Sequence, residues 1–150
     1  HRSCQATADR VMAQGMAALT QGYAQGPARV QLMRKDPKGY EEFYQGLASH
    51  SALGSASTFR GVQGTRPSIF TLEEKLHELL IPTLILIGDE DEPCIEPAIF
   101  MKRHIPASGL AVFPQSGHAI NLEEPDLFNR TVLDFLTAVE ADRWPERDRA

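Results

Sequence analysis

Two runs of apolar residues in the second half of the chain constrain its fold most strongly. Residues 84–87 (Leu-Ile-Leu-Ile) are apolar at every position, whereas a strand with one exposed face would alternate with polar residues. A continuous run of this kind is typical of a strand covered on both faces in a parallel sheet. Residues 110–113 form a second run, and residues 97–104 between them suit a crossover helix. The sequence therefore predicts an α/β fold with two neighbouring parallel strands.

Each predicted strand is followed by a loop that carries a side chain suited to acid–base catalysis. Residues 88–93 (Gly-Asp-Glu-Asp-Glu-Pro) follow the first strand, and residues 116–118 (Ser-Gly-His) follow the second. Reactive groups in open α/β sheets collect beyond the carboxyl ends of the strands. We therefore expect Asp91 and His118 to lie within hydrogen-bonding reach, as the acid and the base of a hydrolytic triad.

Composition excludes several classes of function. The formal net charge of −5 disfavours a nucleic-acid-binding protein, which usually has a basic surface. No apolar stretch approaches the roughly 18–20 residues of a membrane span, and the first residues lack the apolar core of a secretory leader. Cys4 and Cys94 lie too far apart in sequence to indicate a disulfide framework or a metal site. A reducing, cytoplasmic setting is expected.

The sequence predicts no cofactor and no metal. The acidic loop lacks the alternating ligands and the glycine of a calcium-binding loop. The Gly-x-Gly-x-x-Gly fingerprint is absent, which disfavours a dinucleotide-dependent oxidoreductase. His77 and His104 fall on predicted helices and are expected at the surface. Cys94 follows Asp91 closely and is expected to line the site or its core, not to act as a nucleophile.

The part of the chain before residue 66 is predicted to be helical. Asp36 directly before Pro37 is typical of a helix N-terminus, and residues 51–66 suit a loop that holds a short helix. Four apolar residues recur at helical spacing and are expected on one buried face: Met12, Met16, Leu19 and Tyr23.

Further helix signals lie in the second half. Thr71 and Glu74 have the spacing of a capping box. A last helix is expected to begin near residues 123–125, and residues 141–150 form a charged tail that is expected to fray. The last helix is expected to bury four residues: Phe128, Val132, Phe135 and Val139.

Taken in order, the motifs between residues 81 and 139 resemble the C-terminal end of an α/β-hydrolase. The matching positions are residues 82–91, 105–106, 113–118, 123–125 and Phe128. In that family the penultimate core strand ends in Gly-x-x-Asp and the last strand ends in Gly-His. The resemblance therefore implies that Asp91 is the triad acid and His118 the triad base.

The resemblance also implies a domain organisation. Residues 1–66 resemble the helical lid that such enzymes insert before the penultimate strand. Residues 67–140 would form the C-terminal part of the α/β-hydrolase core, a β-α-β-α unit of its parallel sheet, and residues 141–150 the tail.

The nucleophile that such a triad needs is not recognisable. A Gly-x-Ser-x-Gly elbow is absent from the sequence. Residues 54–58 imitate it most closely but lack the second glycine, so Ser55 and Ser57 are expected in a loop or at a helix cap. Because the sequence also begins at His1 instead of a methionine, we expect a fragment of an esterase-like serine hydrolase. The intact enzyme would act on a small-molecule ester, amide or C–C bond, and this chain alone would be inactive.

Two alternatives stay open at the level of sequence. Asp89 could take the place of Asp91, or the acidic loop could simply be solvated. The chain could also be a non-catalytic module that self-associates or pairs with a separate N-terminal half.

Overall fold

The chain divides into two units, of which the first ends at Pro67 and the second begins at Ser68. The first unit is built from helices. The structure is a computed structural model that describes residues 2–146. The helical elements of the first unit are α1 (Arg2–Ala24), a 3₁₀ turn (Pro27–Arg29), α2 (Val30–Lys35), α3 (Pro37–Ala48), α4 (Ala52–Thr58) and a π-helical turn (Phe59–Gln63).

A kink at Gly15 changes which face of α1 is buried. Gly15 has φ +76° and ψ 177°. This backbone conformation interrupts the helix, and residues other than glycine rarely adopt it. The predicted continuous stripe is therefore wrong at its two ends, since Met12 and Tyr23 are 48% and 46% exposed. The apolar residues of α1 that pack in the main cluster of this unit are Ala8, Val11, Met16 and Leu19.

The serines near residue 55 lie in a helix, not in a loop. Ser55 and Ser57 are both inside α4, so the expectation that they occupy a loop or a cap is wrong. Ser51 is the capping residue, because its hydroxyl oxygen accepts from the Gly54 amide at 3.1 Å.

An exposed ion pair links the first helix to the π-helical turn. The Arg60 guanidinium donates to the Asp9 carboxylate at 2.7 Å. This hydrogen bond lowers the pKa of Asp9 below its ordinary value. A lowered folded-state pKa means that the contact is present above the ordinary pKa of an aspartate and is lost as the pH falls through the lowered value.

Asp36 begins α3 as the sequence predicts. Its carboxylate accepts from the Gly39 amide at 2.9 Å, and Pro37 occupies the first turn, where a missing N–H leaves no helical hydrogen bond unmade. The helix ends at Ala48.

Replacement of Asp36 by alanine should destabilise the N-terminal unit by about 1 kcal/mol, because the Gly39 amide loses its acceptor. Asp36→Ser should stay close to the parent, since a serine hydroxyl caps as well as a carboxylate. Urea unfolding followed by circular dichroism measures both. Equal loss of stability in the two variants would contradict the capping role.

Two parallel strands form the sheet of the second unit. Strand β1 (Thr83–Gly88) pairs with β2 (Ser108–Phe113) in a register that runs from Thr83 opposite Ser108 to Gly88 opposite Phe113. The other elements of this unit are a 3₁₀ turn (Ile69–Thr71), α5 (Glu73–His77), α6 (Glu92–His104), α7 (Ile120–Glu123) and α8 (Pro125–Glu140). The predicted α/β fold with a crossover helix is confirmed. Helix α6 begins at Glu92, earlier than residue 97, because Pro93 fits the first turn of a helix.

One face of β1 is well covered and the other is only half covered. Ile85 and Ile87 are buried and pack with Ala98 of α6. Leu84 and Leu86, on the opposite face, are half-buried within the described part of the chain. The prediction that both faces of β1 are covered is therefore confirmed for the face that packs on α6 and only in part for the other face.

Two predicted details of the helices are wrong. The Thr71 hydroxyl donates to the Ser68 carbonyl at 2.7 Å within the 3₁₀ turn, so it does not cap α5, which has no side-chain cap. The last helix, α8, begins at Pro125 as predicted and follows the short helix α7, but its predicted stripe is half-buried, not buried.

Trp144 fixes the start of the predicted tail. Its indole N–H donates to the Ala107 carbonyl at 3.0 Å, and its ring lies 4.8 Å from that of Phe135. Gly109 makes room for the indole, since a Cβ at that position would collide with the ring. The expectation of fraying is wrong at Trp144, and residues 147–150 of the predicted tail lie outside the described residues.

Within residues 2–146, no helix has both the length and the apolar character that crossing a membrane requires.

Candidate active site

Asp91 and His118 meet beyond the carboxyl ends of the two strands. Asp91 lies three residues after β1, directly before the first residue of α6, and it is only 5% exposed. His118 lies in the loop between β2 and α7, and its side chain is 46% exposed. The His118 Nδ1 atom lies 2.6 Å from the Asp91 Oδ2 atom. The structure thus brings the pair together as the sequence predicts, while their catalytic roles stay predictions.

Close approach of the two loops sets this geometry. The Glu90 amide donates to the Ser116 carbonyl at 2.9 Å, and the Asp89 amide donates to the Phe113 carbonyl at 3.0 Å. Gly88 permits this approach, because a Cβ there would overlap the carbonyl oxygens of Ser116 and Gly117. The first loop is therefore hydrogen-bonded along the second, and a larger residue at Gly88 would push them apart.

Asp89 and Asp91 have different partners. The Asp89 Oδ1 atom accepts from the Ser116 amide at 3.1 Å, so this carboxylate holds the second loop in place. Asp91 faces the imidazole instead. The geometry favours Asp91 over Asp89 as the partner of His118.

Glu123 supports the loop that carries His118, which the sequence analysis did not predict. It is 4% exposed, and its two carboxylate oxygens accept from the Gly117 amide at 2.5 Å and the Ala119 amide at 3.1 Å. The amides on both sides of His118 are thus held by one buried carboxylate. From the sequence, Glu123 shows only the common preference for acidic residues near the start of a helix. The sequence pattern does not show that α7 folds back onto the loop.

Cys94 lies beside the pair, one helical turn after Asp91. Its Sγ atom is 4.0 Å from the His118 Nδ1 atom, which is a weak contact. The donor atoms of Asp91, Cys94 and His118 all lie within 4.8 Å of one another, so these three residues could also hold a metal ion. In the described arrangement the Nδ1 atom is instead engaged by the Asp91 carboxylate at the shorter distance.

Ser116 is the serine closest in sequence to His118. It is fully buried, and its hydroxyl donates to the Pro114 carbonyl at 3.1 Å. A hydroxyl that is buried and bonded in this way is poorly placed to attack a substrate.

The Asp91–His118 pair can perform general acid–base chemistry. The carboxylate accepts a hydrogen bond from the Nδ1–H group, so the neutral imidazole carries its lone pair on Nε2. That nitrogen can then accept a proton from a nucleophile, and the buried carboxylate stabilises the imidazolium that forms.

Comparisons with known proteins agree with this fold. A protein of Bacillus subtilis assigned as a 2-succinyl-6-hydroxy-2,4-cyclohexadiene-1-carboxylate synthase is 27% identical over 95 residues, covering 63% of this chain and 34% of the relative. A proline iminopeptidase of Saccharolobus solfataricus is 28% identical over 96 residues, covering 58% of this chain and 30% of the relative. The solved structure of MenH from S. aureus superposes with a TM-score of 0.82 at 26% identity, covering 90% of this chain and 50% of that chain.

These relatives are α/β-hydrolases, so the predicted resemblance to that family is confirmed, and the chain has the fold of the family's C-terminal portion. No protein-family model matches the sequence. The chain spans about one third of the length of the curated relatives it matches.

Asp91→Asn should change the tautomer of His118, because an amide can donate to Nδ1 where the carboxylate can only accept. The parent should carry its imidazole proton on Nδ1, and the variant should shift it towards Nε2. Nitrogen-15 shifts of the imidazole at neutral pH report the two tautomers. Glu92→Gln, a charge-matched change at an exposed neighbour, should leave the tautomer unaltered. An Nε2-protonated parent would contradict the assigned geometry.

Proposed function

We propose that this chain supplies the acid and the base of a Ser-His-Asp hydrolase whose nucleophile is not among these 150 residues. The observation that carries the proposal is the 2.6 Å contact between His118 and Asp91 at the carboxyl ends of two neighbouring parallel strands. The hydrolytic character of the relatives supports it.

In the proposed mechanism His118 serves both halves of an acyl transfer. Its Nε2 atom takes the proton of the attacking serine hydroxyl as the serine–acyl bond forms, and returns that proton to the leaving group as the scissile bond breaks. A water molecule then attacks the acyl-enzyme, with His118 accepting its proton and passing it to the serine oxygen. Asp91 stays ionised and orients the imidazole in both halves.

The burial of Asp91 supports a catalytic role over a solvated acidic loop. A carboxylate that is 5% exposed loses most of its hydration, and burial of a charge is unfavourable unless a partner compensates it. The side chain that compensates it is the imidazole of His118, which is itself nearly half exposed and can face a substrate. Buried acid and exposed base are the two properties that the mechanism needs.

The first unit, in this proposal, is the lid of the enzyme, residues 1–66, and contributes to substrate binding. It contains a cavity of about 520 Å³, a volume that suits a small organic molecule. Its lining is largely apolar and includes Met16, Leu19, Tyr23, Leu47 and Phe59. A small-molecule substrate fits this lining better than a charged polymer.

An alternative proposal is a non-catalytic module that self-associates or pairs with a separate N-terminal half. The observation that favours it is the incomplete cover of the sheet. Within residues 2–146, β1 and β2 pair only with each other, and Val112 of β2 is 55% exposed. Exposed apolar strand edges recruit other chains.

The isolated chain should hydrolyse an activated ester at the background rate, because the proposed serine and its oxyanion donors lie outside it. The rate should be unchanged by His118→Ala. Saturable turnover that His118→Ala abolishes would mean that the chain contains its own nucleophile.

A longer protein that includes a Gly-x-Ser-x-Gly segment should react with a fluorophosphonate at that serine. His118→Ala in that protein should lower kcat by about 10⁴–10⁶-fold, and Asp91→Asn by about 10⁴-fold. Glu92→Gln is the matched control and should keep the parent rate. Full activity in the His118 variant would exclude the proposed triad and favour the non-catalytic alternative.

Pairing of the open strand edges should be visible in the mass of the chain in solution. Light scattering after size-exclusion chromatography should give a species heavier than the 16.6 kDa chain, or a copurifying polypeptide. A cooperative, well-folded monomer with no second polypeptide would contradict this expectation.

A further inference from the structure

Three potential metal ligands converge at the end of α6 that lies away from the Asp91–His118 pair. Glu73 and His77 are the first and last residues of α5, and His104 is the last residue of α6. The His77 Nε2 atom lies 3.1 Å from the His104 Nδ1 atom. The Glu73 Oε1 atom lies 3.6 Å from His104 Nδ1 and 3.9 Å from His77 Nε2.

These separations match those of a tetrahedral metal site. Bonds of about 2.0–2.1 Å from a central ion place neighbouring ligand atoms roughly 3.3–3.4 Å apart. The three observed distances bracket this value, so small side-chain rotations would bring all three atoms to bonding distance. Two imidazole nitrogens and one carboxylate oxygen form a ligand set that Zn²⁺ and its neighbours Ni²⁺ and Cu²⁺ accept.

Aromatic packing holds His104 in place. The Phe100 ring lies 4.2 Å from the His104 ring, and Phe70 packs edge-on against Phe100 at 4.9 Å. The His104 side chain is only 18% exposed, so the prediction that it is a surface histidine is wrong. A histidine held by its neighbours loses little conformational entropy when it binds an ion.

One acidic ligand and the helix dipole favour a cation at the cluster. Glu73 is the acidic member, and the C-terminal end of α6 adds the negative end of the helix dipole. The last turns of these helices also carry basic residues, Lys102 and Arg103 in α6 and Lys75 in α5. Lys102, in the same turn, donates to the Ser108 carbonyl. Glu73 is 56% exposed, which leaves room for a water molecule as a fourth ligand.

The cluster lacks one feature of the tightest sites. The His77 Nδ1 atom is buried and has no hydrogen-bond partner among the described residues. A ligating histidine usually donates its second N–H to such a partner, whose loss typically weakens metal affinity by about 10–100-fold. A site of moderate affinity is therefore expected.

We propose that Glu73, His77 and His104 bind one divalent transition-metal ion of the Zn²⁺ class and so fasten α5 to the end of α6. The ion would be bound through Glu73 Oε1, His77 Nε2 and His104 Nδ1. This site is independent of the proposed hydrolase chemistry, since it shares no residue with the Asp91–His118 pair.

The test uses the full 150-residue chain with His118→Ala, which removes a ligand from the competing Asp91–Cys94–His118 cluster. After treatment with a chelator, the chain is titrated with Co²⁺ and then with Zn²⁺. One equivalent of Co²⁺ should bind with visible d–d absorption but without a thiolate-to-cobalt charge-transfer band, because the proposed ligands include no sulfur. Zn²⁺ should displace it and raise the Tm.

Further substitutions assign the ion to its ligands. His77→Ala and His104→Ala should each weaken binding at least about tenfold, and Glu73→Gln should weaken it without altering the packing of the rings. His50→Ala, which removes an exposed histidine from the other unit, is the matched control and should bind as the parent does. Circular dichroism of the metal-free variants separates lost ligands from lost folding, and Glu73→Gln decides the outcome if a histidine variant unfolds.

Absence of binding, or binding that the Glu73, His77 and His104 substitutions do not change, would overturn the proposal. A thiolate-to-cobalt band would also overturn it, since it would place the ion at Cys4 or Cys94. None of these results bears on hydrolysis by the Asp91–His118 pair, which the ester and fluorophosphonate assays test separately.

Discussion

Parallel pairing of β1 with β2 is the constraint on which the rest of the second unit depends. The register that sets Gly88 opposite Phe113 ends both strands at the same level, so the loops that follow them meet. A slip of one residue would turn every side chain of β1 to the opposite face and expose Ile85 and Ile87. The burial of these two isoleucines against α6 therefore fixes the register, and the register fixes the distance between Asp91 and His118.

Three carboxylates near the strand ends have different hydrogen-bond partners. Asp89 takes the Ser116 amide, Glu123 takes the amides on both sides of His118, and Asp91 takes the imidazole itself. Asp89 and Glu123 thus accept hydrogen bonds from backbone amides, which would otherwise be unpaired donors in a tight loop. Asp91 contacts the imidazole and can therefore orient His118.

Helix α6 connects the two proposed sites of the second unit, the catalytic pair and the metal-binding cluster. Asp91 directly precedes the helix and His104 ends it, so the proposed catalytic pair and the proposed metal ligands lie roughly 20 Å apart along its axis. A metal ion at His104 would fix the end of the helix that α5 covers. The position of α6 would in turn hold Asp91, because the helix packs on the same isoleucines that set the strand register.

The sequence alone determined the elements whose signals are local. Apolar continuity over residues 84–87 gave a parallel strand, and Asp36 before Pro37 gave a helix start. Tertiary structure decided what depends on residues distant in the chain: the contact between His77 and His104, and the packing of Trp144 on Gly109. Periodicity reports which face of an element is apolar, but it does not report which neighbour will cover that face, since that depends on loops and crossings that pack only when the whole unit has folded.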